Sequence, residues 1–128
     1  MRITVLLLLA PLSFVSACDI KATLESETYH DVWVKATFFN DTVQTYKLTE
    51  EQPKKQLHIK GLFCNLKPTI FEVFPDKPPK PGQKSEKSTQ AFIEGAGFIN
   101  YVVLNDGIFM GMRTGVACAA GDCGASRG

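Results

Sequence analysis

The sequence predicts an all-β protein, a single antiparallel β-sandwich of about seven strands tied by two disulfides. Three observations favour this fold. Apolar and polar residues alternate through most of the chain after residue 18, as half-buried strands do. Turn-forming residues recur at short intervals without a sustained helical period. The four cysteines are an even number, as paired bridges require.

The first residues predict a cleaved secretion signal. Arg2 gives a positive start, residues 3–9 form an apolar run too short to span a bilayer, and small residues precede Cys18. We therefore expect residues 1–17 to be removed and a single secreted domain to span residues 18–128, with residues 124–128 as a flexible tail. The oxidising compartment reached by this route favours disulfides over metal binding by the cysteines.

Seven segments have the alternation or the β-former content of strands, and they are residues 20–25, 32–38, 43–48, 57–62, 69–74, 91–104 and 108–113. Asn40-Asp41 predicts the turn of the first hairpin. Glycines at positions 95 and 97 predict a bulge within the sixth segment. Asn105-Asp106-Gly107 predicts a tight hairpin turn of the primed type. Trp33 lies opposite the more apolar face of its strand, which leaves its placement in the core open.

The connection between the fifth and sixth segments, residues 75–88, is rich in Pro, Lys, Gly and Ser, which predicts a long exposed loop with few contacts. Two interpretations remain open. The loop is either a plain solvated connection or a recognition segment that presents an extended Pro-x-x-Pro stretch with excess lysine. The candidate binding residues are Lys77, Pro78, Pro79, Lys80, Pro81 and Lys84.

Four cysteines permit three pairings, and the sequence does not choose among them. We favour bridges that join Cys18 and Cys64 separately to Cys118 and Cys123, because such bridges close long loops and pin both ends of the chain. A different fate for Cys18 is lipidation, since residues 15–18 resemble a bacterial lipobox. Lipidation would leave one of the other three cysteines without a partner.

The balance of charges and the lack of catalytic motifs exclude several classes of function. Removing residues 1–17 takes away Arg2 and no other charge, which leaves 13 basic and 13 acidic side chains. A chain with equal numbers of basic and acidic side chains lacks the strong positive field that nucleic-acid binding requires. His30 and His58 lie outside any zinc-protease motif, and no Gly-x-Ser-x-Gly elbow occurs. We expect no enzyme, no cofactor, no metal and no transmembrane segment.

The tripeptide Asn40-Asp41-Thr42 is an N-glycosylation sequon at a predicted hairpin tip, so Asn40 is a candidate glycosylation site. The alternative is a turn whose residues match the pattern by chance.

The layout resembles that of small secreted proteins found in families in roundworms. The matching elements are Ala17-Cys18, the segment 32–37, the mid-chain Cys64, and the ending from Cys118 to Cys123. This resemblance implies extracellular action and assigns no functional residue. Transthyretin-like secreted proteins are similar in strand content. We accordingly expect an immunoglobulin-like or transthyretin-like arrangement of strands.

These observations favour a secreted, non-catalytic binding or effector module, acting in defence or at a surface, whose loops contact an extracellular protein or glycan. An alternative is a carrier that holds a small apolar ligand between its sheets. The aromatic residues that would line such a cavity are Phe38, Phe71, Phe74, Phe92, Phe98 and Tyr101. A further alternative is a lipoprotein anchored through Cys18.

Overall fold

The computed structural model describes residues 17–124, and all regular structure within that range is β. Seven strands follow one another: β1 (Ala17–Ser26), β2 (Val32–Thr37), β3 (Val43–Leu48), β4 (Lys54–Leu62), β5 (Thr69–Phe74), β6 (Ser88–Leu104) and β7 (Gly107–Gly121). The predicted all-β class is confirmed, and each of the seven predicted segments coincides with one strand, although β7 continues eight residues beyond the predicted end at residue 113. Of the predicted leader only Ala17, and of the predicted tail only Gly124, belong to the described residues.

The strands form one mixed sheet in the order β3-β2-β5-β6-β1-β4, with β7 paired to β6. Strand β1 runs parallel to β6, from Cys18 opposite Gly95 to Ser26 opposite Val103, whereas the other pairs are antiparallel. The outer strands β3 and β4 approach each other, so the sheet curls into a nearly closed barrel. The expected purely antiparallel sandwich is therefore wrong, because a parallel pair and a continuous sheet replace it.

The length of β6 explains why the sheet is continuous. This strand has 17 residues. Residues 88–91 pair with β5, and residues 95–103 pair with β1. Both halves of the expected sandwich are thus hydrogen-bonded to the same strand. Side-chain alternation has a period of two in parallel and antiparallel strands alike, so the sequence pattern does not distinguish the two.

The predicted bulge at residues 95–97 is confirmed by register shifts between β6 and β7 at that point. Gly95 has φ of 111°, and a Cβ there would lie 2.5 Å from the carbonyl oxygen of Gly115. A Cβ on Gly97 would overlap the carbonyl oxygen of Thr114. Glycine is therefore required where the long hairpin bends around the core.

The barrel interior is filled by alternate residues of the strands, and its largest fully buried side chains include Ile20, Leu24, Phe71, Ile93, Ile99 and Tyr101. The rings of Phe71 and Tyr101 are in contact, with centroids 4.4 Å apart. Trp33 is half-buried on the outer face, where the ammonium of Lys47 lies 5.2 Å from the ring centroid.

The two predicted turns form, with one difference in conformation. Asp41 has φ of 69°, as the Asn40-Asp41 turn requires. The hairpin turn at Asn105-Asp106 also forms, but neither residue has positive φ, so the predicted primed type is wrong. The unusual φ belongs instead to Gly107, at 157°, which opens β7 opposite Leu104.

The disulfides join Cys18 to Cys64 and Cys118 to Cys123, with Cα atoms 6.2 Å and 5.8 Å apart. The predicted presence of two bridges is confirmed, whereas the favoured pairing is wrong. Strands β1 and β7 flank β6 on opposite sides, since Ile99 pairs with both. Strands two apart in a sheet are about 9.5 Å from each other, which exceeds the reach of a disulfide. A bridge between Cys18 of β1 and Cys118 of β7 is therefore excluded.

Candidate functional site

Residues 75–87, which connect β5 to β6, form a loop over the outer face of the β2–β5 pair; we call this segment the cover loop. Most of its residues are exposed, as predicted. Phe74, at the end of β5, is nevertheless buried outside the main core cluster, and it borders a small pocket together with Pro75 and Pro78. The loop therefore shields part of the sheet that would otherwise face water.

A buried ion pair lies beneath the cover loop. Lys35 of β2 and Glu72 of β5 are directly opposite each other, and the Lys35 Nζ lies 3.5 Å from the Glu72 Oε1. Their side chains are only 10% and 5% exposed. Buried charges are tolerated when their remaining hydrogen-bonding capacity is also filled.

The cover loop supplies the missing partners of this pair. The Lys35 Nζ donates a hydrogen bond to the carbonyl oxygen of Gln83, at 2.7 Å. The backbone N–H of Ser85 donates to the other carboxylate oxygen of Glu72, at 3.0 Å. Lys35 thus binds the loop at Gln83, and Glu72 binds it at Ser85, two residues further along the chain.

Ser85 strengthens this attachment through its side chain. Its hydroxyl donates to the carbonyl oxygen of Val73 at 2.6 Å and accepts from the N–H of Lys87 at 3.0 Å. The N–H of Val73 in turn donates to the carbonyl oxygen of Lys87 at 2.8 Å. The second half of the cover loop is therefore fastened to β5, which corrects the expectation of few contacts.

The first half of the loop projects from this attachment and ends in a tight turn. The N–H of Gln83 donates to the carbonyl oxygen of Lys80 at 2.9 Å, and Gly82 has φ of 78°. Pro81 followed by Gly82 at the two central positions is the composition of a type II turn. Pro81 thus belongs to a turn, so an extended Pro-x-x-Pro stretch would end at Lys80.

A groove of about 530 Å³ lies between the projecting half of the loop and the outer face of β2 and β3. Its lining residues are Lys35, Thr37, Val43, Thr45, Pro79, Lys80, Pro81, Gly82 and Lys84. Four of the six predicted binding residues therefore come together here. The other two, Lys77 and Pro78, border the neighbouring pocket of about 240 Å³ beside Phe74.

The charge of the groove is positive. Three lysines and neither Asp nor Glu are among its lining residues. The charge of Lys35 is balanced by Glu72 beneath the groove, whereas Lys80 and Lys84 are exposed. The groove therefore offers two accessible ammonium groups, two threonine hydroxyls and the apolar rings of two prolines.

Sequence reasoning found the lysines and prolines of this loop but missed the residues that position it. Lys35 occupies an outward position in an alternating strand, the pattern of a solvated side chain, and Glu72 sits in a run of β-formers. The one signal that points to such a pair is the presence of opposite charges on adjacent strands. This signal can be recognised only when it is known which strands are adjacent.

The aromatic residues proposed for a carrier cavity do not line a common space. Phe71 and Tyr101 are packed against each other in the core, whereas Phe98 is 59% exposed on the outer face. Phe74 lies beneath the cover loop. The buried hydroxyl of Tyr101 has no hydrogen-bond partner among the described residues, and burial raises the pKa of this phenol.

The remaining candidates are dispersed. Asn40 is exposed at the β2–β3 turn, where its Oδ1 accepts from the N–H of Thr42 at 3.2 Å. His58 forms a short exposed contact with Asp19, and this hydrogen bond lowers the pKa of that carboxyl group. His30 is exposed in the β1–β2 connection. Within residues 17–124, no group of three or more His, Cys, Asp or Glu side chains is arranged to hold a metal ion.

Comparison of the chain with protein-family models, with curated proteins and with solved structures gives no match. Among the residues that the structure describes, no helix has the length and apolar character that crossing a bilayer requires.

Proposed function

We propose that this protein is a secreted, non-catalytic binding module whose contact surface is the groove beneath the cover loop. The observation that carries the proposal is the attachment of the loop through both members of the buried Lys35–Glu72 pair. A loop held in place before binding loses less conformational entropy on contact with a ligand. Binding residues are commonly placed on loops that a rigid scaffold positions.

Stability alone is a weak explanation for the buried pair. Replacing such a pair by well-packed apolar residues often leaves stability unchanged or raises it, so a buried ion pair is poor support for a stabilising role. The Lys35–Glu72 pair instead fixes the position of Gln83 and Ser85. Lys84 lies between these two residues, and Lys80 is hydrogen-bonded to Gln83. A positional role favours the groove as the functional surface.

An extracellular setting is supported by the two disulfides, since such bridges persist in oxidising compartments. The predicted leader and the resemblance in layout to secreted roundworm proteins point the same way. Because Cys18 is bridged to Cys64, its thiol is occupied, and lipid attachment at Cys18 is not favoured.

Glycosylation of Asn40 forms part of the proposal. The side chain is exposed at a hairpin tip and is not among the residues that line the groove. Secretion from a eukaryotic host should add mass that an N-glycosidase removes. The Asn40→Gln variant should lack this mass. An unmodified wild-type product from that host would contradict the assignment.

The groove is tested by filling it while both members of the ion pair are kept. Thr45 lies exposed on the groove wall, and Thr45→Tyr keeps a residue suited to strands. The matched control is Gln56→Tyr, on the exposed face of β4. Both proteins should melt like the wild type. On arrays of extracellular glycans and peptides, ligands retained by the wild type and by the control should be lost by Thr45→Tyr. Retention by all three proteins, or the absence of any ligand, would overturn the proposal.

A further inference from the structure

Three of the five loop residues that line the groove have no backbone N–H left to donate to a ligand. Pro79 and Pro81 carry no N–H. The N–H of Lys80 donates to the Gln83 Oε1 at 2.9 Å, and the N–H of Gln83 donates back to Lys80. An extended peptide usually gains affinity by main-chain hydrogen bonds to its receptor. The loop wall of this groove offers few N–H donors for such bonds.

On the strand wall, the backbone of β2 is occupied as well. Strand β2 is paired on one edge with β3 and on the other with β5, and residues 35 and 37 belong to both ladders. The groove therefore presents mainly side chains: the ammonium groups of Lys80 and Lys84, the hydroxyls of Thr37 and Thr45, and the proline rings.

We infer that the groove binds an anionic polysaccharide, and this inference rests on the proposed function. Ammonium groups attract the sulfate or carboxylate groups of such a polymer, threonine hydroxyls exchange hydrogen bonds with sugar hydroxyls, and proline rings contact the C–H faces of sugars. No carboxylate among the lining residues opposes an anion. Recognition mainly through side chains suits a ligand without a peptide backbone.

Direct binding to defined probes tests the inference. The probes are a heparin-derived oligosaccharide carrying sulfates, a hyaluronan oligosaccharide carrying only carboxylates, a neutral dextran and a poly-glutamate peptide. The variant is Lys80→Gln with Lys84→Gln, which removes two charges and no side-chain contact described above. The matched control is Lys54→Gln with Lys60→Gln, two exposed lysines of β4 outside the groove. Titration calorimetry gives affinities, and circular dichroism checks the fold.

The wild type should bind at least one of the two anionic oligosaccharides and not the dextran. The groove variant should bind about tenfold more weakly, as the loss of two exposed charge contacts implies, while the control binds like the wild type. Raising the salt from about 0.05 M to about 0.3 M should weaken binding, because the shorter screening length attenuates exposed charges. Preference between heparin and hyaluronan identifies sulfate or carboxylate as the recognised group.

Three results would overturn the inference. Equal weakening in the groove variant and the β4 control would mean attraction by overall charge and not by the groove. Binding of poly-glutamate but of neither oligosaccharide, lost in the groove variant, would remove the polysaccharide and leave the groove as a binding site. Failure of every probe, together with array ligands that are insensitive to Thr45→Tyr, would remove both proposals.

Discussion

Lys35 and Glu72 face each other across β2 and β5 with their charges 3.5 Å apart, and the cover loop hydrogen-bonds to both. This relationship joins three parts of the chain that are distant in sequence. The cover loop also buries the side chains of Lys35 and Glu72, although both residues face outward from the barrel. The energetic consequence is asymmetric, because removing one charge leaves the other buried without its counter-ion.

Glu72→Leu should destabilise the fold by about 3 to 5 kcal/mol, since the Lys35 ammonium then remains buried without a carboxylate. The double variant Lys35→Met with Glu72→Leu should recover most of that loss. Urea unfolding of both proteins and of Lys35→Met gives the coupling energy. A double variant no more stable than Glu72→Leu would show that the pair is not coupled. Amide exchange in the cover loop should be faster in all three variants.

Ser85→Ala should lower the free energy of unfolding by about 1 to 2 kcal/mol, because two hydrogen bonds to β5 and Lys87 are lost. Ser88→Ala is the matched control, since Ser88 is exposed at the start of β6; its effect should stay within about 0.5 kcal/mol. Urea unfolding distinguishes the two. Equal effects would mean that the loop is not fastened through Ser85.

The two disulfides should differ in their contribution to stability. The Cys18–Cys64 bridge spans 46 residues and the Cys118–Cys123 bridge spans 5. Loop-closure entropy assigns about 4 kcal/mol to the first and about 2 kcal/mol to the second. Cys64→Ser should therefore destabilise more than Cys123→Ser in unfolding without reductant. A double variant lacking Cys18 and Cys64 should match the Cys64→Ser protein; a further large loss would contradict this pairing.

The pKa of Asp19 lies below its ordinary value of 3.8, chiefly because of its hydrogen bond with His58. A carboxyl group whose pKa is lower in the folded state stabilises that state above pH 3.8, and this contribution disappears as the pH falls through the folded-state pKa. Titration of the Asp19 carboxyl group by NMR should show a midpoint that rises toward 3.8 in His58→Ala. An unchanged midpoint would show that His58 is not the cause.

Much of the local structure was predictable because it depends on neighbouring residues. Alternation placed the seven strands, and Asn40-Asp41 and the glycines at 95 and 97 marked a turn and a bulge. Composition marked residues 75–88 as a loop. The lysines and prolines of the groove could be named for the same reason, since exposure and charge are properties of the segment itself.

The sequence by itself determined the all-β class, the strand positions and the segment that forms the cover loop, because these follow from side-chain alternation and turn chemistry within a few residues. Only the tertiary structure decided the parallel pairing of β1 with β6, the partners of the four cysteines and the burial of Lys35 with Glu72. Each of these depends on which distant strands become neighbours. Strand order is set by packing of the whole chain, and a period-two pattern is the same whichever strand lies alongside.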